Sequence, residues 1–412
     1  MIRRSVADRM GDRRRLGTDP LVRRGPFDAV AAFATLALMG IGGVMVLSAS
    51  ALSDFARTAD PFATALPQTL WIFCAIAVLF VASRCSPTLL YRIALPLYVA
   101  AVVGLLLVLV PGIGIEVGGS ARWLRLAPGL PTIHPAELAK PAVVLFLAAL
   151  FTDGRVDPRS SRGLLVFATV AGLPLLLTLL EPDLGTGSVI GVAALVTYFA
   201  AGGSLRHLIP AAAGAVLLAA LFLSINEYQA ARIHTWLDPW SDPQGAGFHT
   251  IQGLIAIARG GLTGVGLGQG EQAASLYLPN ADNDYIYAVI AEETGLLGAL
   301  AVSLLFLLFI GRGLQIASRA SDRFGSVAAA GISGAIGFQA FANIGVVTGL
   351  IPVTGIPLPF VSAGGSSLLV LAGAAGLLLA VSREQLPARA SSLQPTTLRR
   401  SAPRTLAVRR SR

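Results

Sequence analysis

Ten long, almost wholly apolar stretches recur along the chain, at roughly 28–50, 66–83, 92–112, 135–151, 164–180, 186–202, 208–223, 284–311, 326–350 and 365–382. Crossing the hydrocarbon core of a bilayer as a helix takes about 20 apolar residues. In lipid only helices and closed barrels satisfy every backbone polar group, and stretches this long are helices rather than barrel strands. The pattern predicts an all-α integral membrane protein, a bundle of about ten transmembrane helices with one large extracytoplasmic loop at 224–283. With 54% hydrophobic and 13% charged residues, half the charge of a typical soluble domain, the chain leaves no room for a large water-soluble domain. The membrane domain is expected over 28–382, flanked by Arg-rich disordered cytoplasmic tails at 1–27 and 383–412. The first apolar run, Ala29 to Leu47, exceeds the 7–15 residues of a signal-peptide core and reads as an uncleaved first helix.

The net charge of +9 does not point to nucleic acid, because the arginines sit in the tails and in short loops between apolar runs. That is the positive-inside pattern. With both termini cytoplasmic and ten spans alternating, the basic residues collect inside and the acids collect in outward loops and outer span ends. The working groups are therefore expected outside. Cys74 and Cys85 form neither a disulfide framework nor metal-ligand spacing.

The outward loop 224–283 is far longer than the other connections, and long loops in compact proteins are usually functional. Within it, Thr250 to Ala258 is short and apolar and reads as a re-entrant or interfacial helix. The glycines Gly260, Gly261, Gly264, Gly266, Gly268 and Gly270 follow. No strand precedes them and no Gly-Lys-Ser/Thr ends them, so a nucleotide-binding reading fails, and they read as close backbone packing against a helix.

Four constellations carry chemistry. In Gly118-Gly119-Ser120-Ala121-Arg122-Trp123-Leu124, Pro131 and His134 to Lys140, the Glu137–Lys140 spacing puts both side chains on one helix face. Lys140 is the only lysine among 31 basic residues, and a buried ammonium beside a carboxylate reads either as a working pair or as an ion pair fixing helix packing. Arg122 reads as a holder of an anionic headgroup or as an interface anchor. Glu181-Pro182-Asp183 to Thr186 reads as a cation site or as a turn that caps the next helix, with the turn favoured. Leu278 to Ala288 brings Asp282 and Asp284 to the outer mouth of the eighth span, where Asp284 reads as a working carboxylate or as a cap on that helix's N-terminus. Gln339 and Asn343 lie one turn apart on the ninth span, a polar stripe facing protein, ahead of a Pro- and Gly-broken outward hairpin that ends at Gly365-Ser366-Ser367.

At these residues the chain resembles the SEDS family, the FtsW/RodA/SpoVE proteins. The motifs GGSARWL, HPAELAK, EPDLGTG, DPWSDPQGAGFH, LPNADNDYIYAVIAEETG and Val346 to Ser367 follow in family order from about 28 to 382, and Gly266-Leu267-Gly268 is more similar to FtsW than to RodA. The resemblance implies a peptidoglycan glycosyltransferase at the outer face of the bacterial cytoplasmic membrane, serving division or cell shape. It would polymerise lipid II beside a class B penicillin-binding transpeptidase and other divisome or elongasome membrane proteins. The family's catalytic aspartate falls on Asp284. The chain departs from the family motif by carrying Asp282 and Asn283 where the family has His and Thr, and Tyr285 and Tyr287 in place of Phe. His134 stands for Gln and Ala363 for Tyr.

A single carboxylate suffices for such chemistry, because a lipid diphosphate leaves as a stable anion and only the acceptor hydroxyl needs a base, with inversion. Glu137, Lys140, Arg122, Asp282, Gln339, Asn343 and Ser366 are the expected supporting or substrate-binding residues. No organic cofactor is implied; a divalent cation, Mg or Mn, has Asp282, Asp284 and Asp183 as candidate ligands. Two other readings share these features: a lipid II transporter, which tends to place ionisable groups near the midplane, and a non-catalytic scaffold, which needs no outer carboxylates.

Overall fold

The computed structural model describes residues 25–384 apart from 118–119, 126–131, 226, 246 and 275–277. The expected tails at 1–27 and 383–412 therefore lie almost wholly outside the described residues, as do Gly118, Gly119 and Pro131. The ten expected spans appear as α1 (Ala29–Thr58), α2 (Ala65–Ala82), α3 (Pro87–Val108), α4 (Pro135–Thr152), α5 (Ser161–Leu180), α6 (Leu184–Ala200), α7 (Leu205–Ile225), α11 (Ile286–Arg319), α12 (Arg323–Val347) and α13 (Gly365–Ser382). Among the described residues, eight are long and apolar enough to cross a membrane, and α6 is a shorter apolar helix. The outer loop carries α8 (Glu227–Leu237), α9 (Phe248–Gly260) and α10 (Glu271–Ala274). The expected apolar helix at Thr250 to Ala258 is thus present as part of α9.

Helix starts follow cap chemistry. Asp28, Ser86, Ser160, Asp183 and Asp322 each accept a backbone N–H of the following helix, which satisfies one of the four orphan donors at a helix start. The first helix runs to Thr58, beyond the expected end near residue 50. Asp54 sits in this extra length and accepts hydrogen bonds from the Thr64 backbone N–H at 2.8 Å and from its Oγ1 at 2.9 Å. The polar Ser53-Asp54-Arg57 series hid the extension in the sequence. Two short antiparallel strands, β1 (Gly114–Val117) and β2 (Ser120–Leu124), form a hairpin that the all-α expectation did not include.

Helices α4 and α12 lie at the centre, with 72% of their most apolar windows buried, whereas α2 buries 22% and faces outward. This ordering explains their composition. The central helices carry small residues and the polar set Glu137, Lys140, Gln339 and Asn343, all buried, while α2 presents Leu66, Leu70, Phe73 and Val81 outward.

The eighth span differs most from expectation. It is interrupted at Gly295, whose φ of 69° and ψ of −169° lie outside the helical region. A break at membrane depth exposes backbone groups that lipid cannot satisfy, and the glycine loop supplies the partners. The N–H groups of Val265 and Gly266 donate to the Glu292 and Glu293 carbonyls, both at 3.0 Å, and those of Leu296 and Leu297 donate to Gly261 and Leu262 at 2.9 and 3.2 Å. Backbone contact this close needs glycine: a Cβ on Gly260 would stand 1.8 Å from the Ala291 carbonyl oxygen.

Gly260→Ala is therefore expected to destabilise the protein by about 1–3 kcal/mol through forced backbone displacement. Gly311→Ala, where a Cβ meets nothing within 4 Å, is expected to be neutral or stabilising. Thermal unfolding in detergent compares the two; equal midpoints would remove the packing account.

Candidate active site

Helix α4 starts at Pro135, and its first turns place Glu137 and Lys140 on one face. The Lys140 Nζ lies 2.7 Å from Glu137 Oε2 and donates to Gln339 Oε1 on α12 at 2.8 Å. Ser367, in the first turn of α13, donates to Glu137 Oε2 at 2.8 Å. Glu137 and Lys140 are 3% and 4% exposed, so three helices share one sealed polar knot. Ser366, the expected supporting residue, makes no hydrogen bond among the described residues; the contact to the knot is made by its neighbour Ser367. Lys140, with a carboxylate and an amide as partners and almost no exposure, ties α4 to α12.

From the knot the polar stripe on α12 leads outward. Gln339 Nε2 donates to the Pro357 carbonyl at 3.1 Å. One turn on, Asn343 Nδ2 donates to the carbonyls of Asp284 and Ile356, each at 2.7 Å. The hairpin 348–364 is stapled to the Asp282–Asp284 turn from its other side: Ser362 Oγ donates to the Asn283 carbonyl at 2.8 Å, and the Ala363 N–H donates to the Asp282 carbonyl at 2.9 Å. Gln68 on α2 receives the Gly364 N–H at 3.2 Å. The backbone of the aspartate turn is thereby fixed from two elements.

Asp284 precedes α11, whose first residue is Ile286 and whose N-terminus receives no side-chain cap. A capping role is excluded by that geometry. Its Oδ1 is sealed from solvent and has no hydrogen-bond partner among the described residues, and its Oδ2 lies against Gly355, 3.5 Å from where a Cβ would stand. Burial pushes the carboxyl up to about 6. Arg232 opposes the shift, Asp183 and Asp282 add to it, and Arg122 opposes it weakly. Asp282 is also raised, by burial first, but its further charged neighbours are Asp54 and Arg57 at the C-terminal end of α1. The two aspartates therefore share a turn and face different surroundings.

Arg122, on β2, donates from Nε to the Glu181 carbonyl at 3.2 Å and from Nη2 to the Pro182 carbonyl at 2.7 Å. These bonds aim a guanidinium at the turn between α5 and α6. Beside it both Glu181 carboxyl oxygens are buried without a hydrogen-bond partner among the described residues, and burial, reinforced by Asp183, pushes that carboxyl up to about 8. Asp183 caps α6, accepting from the Thr186 N–H at 2.9 Å and Oγ1 at 2.8 Å, as the favoured turn reading requires. His134 stacks on Trp123 with centroids 5.1 Å apart, and its Nε2 stands 3.6 Å from Asp183 Oδ2.

Among the described residues no three His, Cys, Asp or Glu side chains gather as a metal site. Asp282, Asp284 and Asp183 are not part of such a group, and the chemistry proposed for the site rests on the protein's own side chains. Sequence reasoning missed Arg232, whose Nη1 donates to the Val353 carbonyl at 3.2 Å. Arg232 is one of two arginines among five acids in the loop 224–283, and that was the available signal. Ser367 and Gln68 carried no signal beyond being polar near the ends of apolar runs.

The family model for the FtsW/RodA/SpoVE cell cycle proteins matches residues 29–386. The chain is 37% identical over 361 residues to a probable peptidoglycan glycosyltransferase FtsW of Geobacter metallireducens, covering 86% of this chain and 94% of that protein. It is 39% identical over 358 residues to the stage V sporulation protein E of Bacillus subtilis, covering 86% and 97%. Its fold is similar to a chain solved in a peptidoglycan synthase complex, with a TM-score of 0.70 and 30% identity over 87% of this chain and 98% of that one. The rod shape determining protein RodA of Thermus thermophilus gives a TM-score of 0.65 at 27% identity, covering 88% and 98%.

Removing one member of a buried ion pair leaves an uncompensated charge, which costs about 3–5 kcal/mol. Glu137→Gln is expected to lower the thermal midpoint by that measure. Ser367→Ala is expected to lose about 1.5–3 kcal/mol, a hydrogen bond to a charged group, and Ser366→Ala to stay within about 0.5 kcal/mol. A larger loss at Ser366 than at Ser367 would contradict the geometry.

Proposed function

The chain belongs to the FtsW/RodA/SpoVE family of cell cycle proteins, and on that premise we propose that it is a peptidoglycan glycosyltransferase that polymerises lipid II at the outer face of the cytoplasmic membrane. The observation that carries the mechanism is Asp284: a carboxylate at the outer mouth of the bundle, with one oxygen sealed and unpartnered and its proton affinity raised towards neutrality. A general base works best when its pKa lies near the operating pH.

In the reaction, the acceptor sugar's 4-hydroxyl gives its proton to the Asp284 carboxylate as its oxygen attacks the anomeric carbon of the donor. The bond to the lipid diphosphate breaks on the opposite face, so configuration inverts and the diphosphate departs as an anion. Arg122 and Arg232, the two cations that act on Asp284's charge, are the protein's means of stabilising that anion. Arg122 fills this role better than Lys140, which is held by Glu137 and Gln339. The long lipid tail is accommodated by an enzyme that is itself a helix bundle, with lateral entry from the bilayer. A transpeptidase of the penicillin-binding class is the proposed partner; likeness to a chain of a peptidoglycan synthase complex supports it. Cytoplasmic termini follow from the distribution of arginines.

Asn is nearly isosteric with Asp and takes no proton at neutral pH. Asp284→Asn is expected to abolish glycan-strand formation from lipid II by the purified protein while leaving its thermal midpoint no lower than that of the unmodified protein. Asp282→Asn, facing Asp54 and Arg57, is expected only to slow it. Gel separation of the strands reads both. An inactive Asp282→Asn beside an active Asp284→Asn would move the base two residues, and activity in both would end the mechanism.

A further inference from the structure

At the end of the bundle away from Asp284, the start of α1 meets the ends of α2 and α13. The length of α13, 18 residues at 1.5 Å each, separates this end from the aspartate turn by about 27 Å. Here lies a cavity of about 560 Å³ lined by Pro26, Phe27, Ala29, Phe80, Ser83, Arg84 and Arg383, within the size range of small-molecule sites. Its walls divide by chemistry. Phe27 and Phe80 form an edge-to-face pair with centroids 6.1 Å apart, while Arg84 and Arg383 supply two positive charges.

Neither arginine has an ion-pair partner among the described residues. The Arg383 Nε is sealed from solvent with no hydrogen-bond acceptor among the described residues, and burying a donor of a charged group unpaired is costly. Two acids abut the cavity wall in sequence: Asp28 is committed to Arg312, whose Nε donates to its Oδ1 at 3.2 Å, and Glu384, beside Arg383, is engaged elsewhere. A cation that served only to complement a helix C-terminus would need neither a sealed Nε nor an adjoining cavity. The chain's own flanking segments are poor occupants: 1–24 and 385–412 each carry more arginines than acids and would repel Arg84 and Arg383.

We propose that this cavity binds the phosphate headgroup of an anionic phospholipid, with Arg84 and Arg383 on the phosphate and Phe27 and Phe80 against the glycerol and upper acyl chain. Basic pockets between helix ends on the cytoplasmic side suit such headgroups, and the cavity lies on that side if the termini are cytoplasmic. The lipid would join α1, α2 and α13 at the base of the bundle, the three elements that pack against the aspartate turn and its hairpin at the other end.

The test uses the full-length protein, delipidated in detergent and titrated with phosphatidylglycerol, phosphatidylcholine or soluble glycerol phosphate, with thermal midpoint and the number of retained lipids by native mass spectrometry as readouts. Neither readout involves glycan synthesis, so the result is independent of the proposed activity. At saturation phosphatidylglycerol is expected to raise the midpoint by roughly 5 °C with one lipid retained, and phosphatidylcholine to do neither. Arg84→Gln with Arg383→Gln is expected to lose most of that rise. Arg206→Gln with Arg319→Gln, which removes the same charge from exposed positions, is expected to keep it. Should the first pair fail to fold, Arg84→Gln alone, at an exposed position, is expected to halve the rise. An undiminished rise in the Arg84 and Arg383 variants, equal effects of both lipids, or full protection by glycerol phosphate would each overturn the proposal.

Discussion

An ammonium group inside a helix bundle has to be surrounded by acceptors, because desolvating it costs several kcal/mol that only close partners offset. Lys140 meets this demand with Glu137 from its own helix and Gln339 from α12, and Glu137 draws in Ser367 from α13. The requirement fixes the relative rotation of three helices. Everything outward of the knot follows from that rotation: Gln339 reaches the Pro357 carbonyl, and Asn343, one turn further, reaches the carbonyls of Ile356 and Asp284. A purely apolar core would tolerate slippage among these helices; a charged one with a fixed set of partners does not. The buried pair thus sets the position of a carboxylate that it never touches.

A second constraint works from the other side of the site. The eighth span stops at Gly295 and resumes, and the glycine loop after α9 closes the break through four backbone hydrogen bonds. This arrangement anchors residues 286–294 on α9 and leaves Asp284 at the rim of the bundle. Rigid backbone and an unsatisfied carboxyl oxygen are complementary, since a carboxylate that cannot relax onto a neighbouring donor keeps its proton affinity for a substrate hydroxyl. Arg232 and Arg122 temper the shift without pairing Asp284 into inertness.

Much of this was legible in the sequence because the membrane imposes simple rules. Apolar run length located the ten helices, the i,i+3 spacing found the Glu137–Lys140 pair, and the one-turn spacing of Gln339 and Asn343 identified a stripe that faces protein. The glycine series gave close backbone packing without naming Ala291 and Glu293 as its targets, because nothing in a glycine marks its partner. The break at Gly295 escaped notice, since a lone glycine within an apolar run is compatible with an unbroken helix. The hairpin of β1 and β2 is too short for its alternation to stand out. Ser366 and Ser367 are adjacent and chemically identical, and only the phase of α13 decides between them. Arg232 joins the site from 52 positions before Asp284, a relation that only tertiary packing creates.

The central claim is that Asp284 acts as a base whose proton affinity the bundle has raised by burial. The pH dependence of kcat/KM for glycan synthesis by the purified protein tests it directly. A carboxyl shifted up to about 6 must lose its proton to work, so the rate is expected to climb tenfold per pH unit below that value and to level off above it. A profile already flat from pH 4.5 upward would mean an ordinary, solvated carboxylate, and one that falls as pH rises through 6 would mean that the essential group is an acid; either would contradict the account.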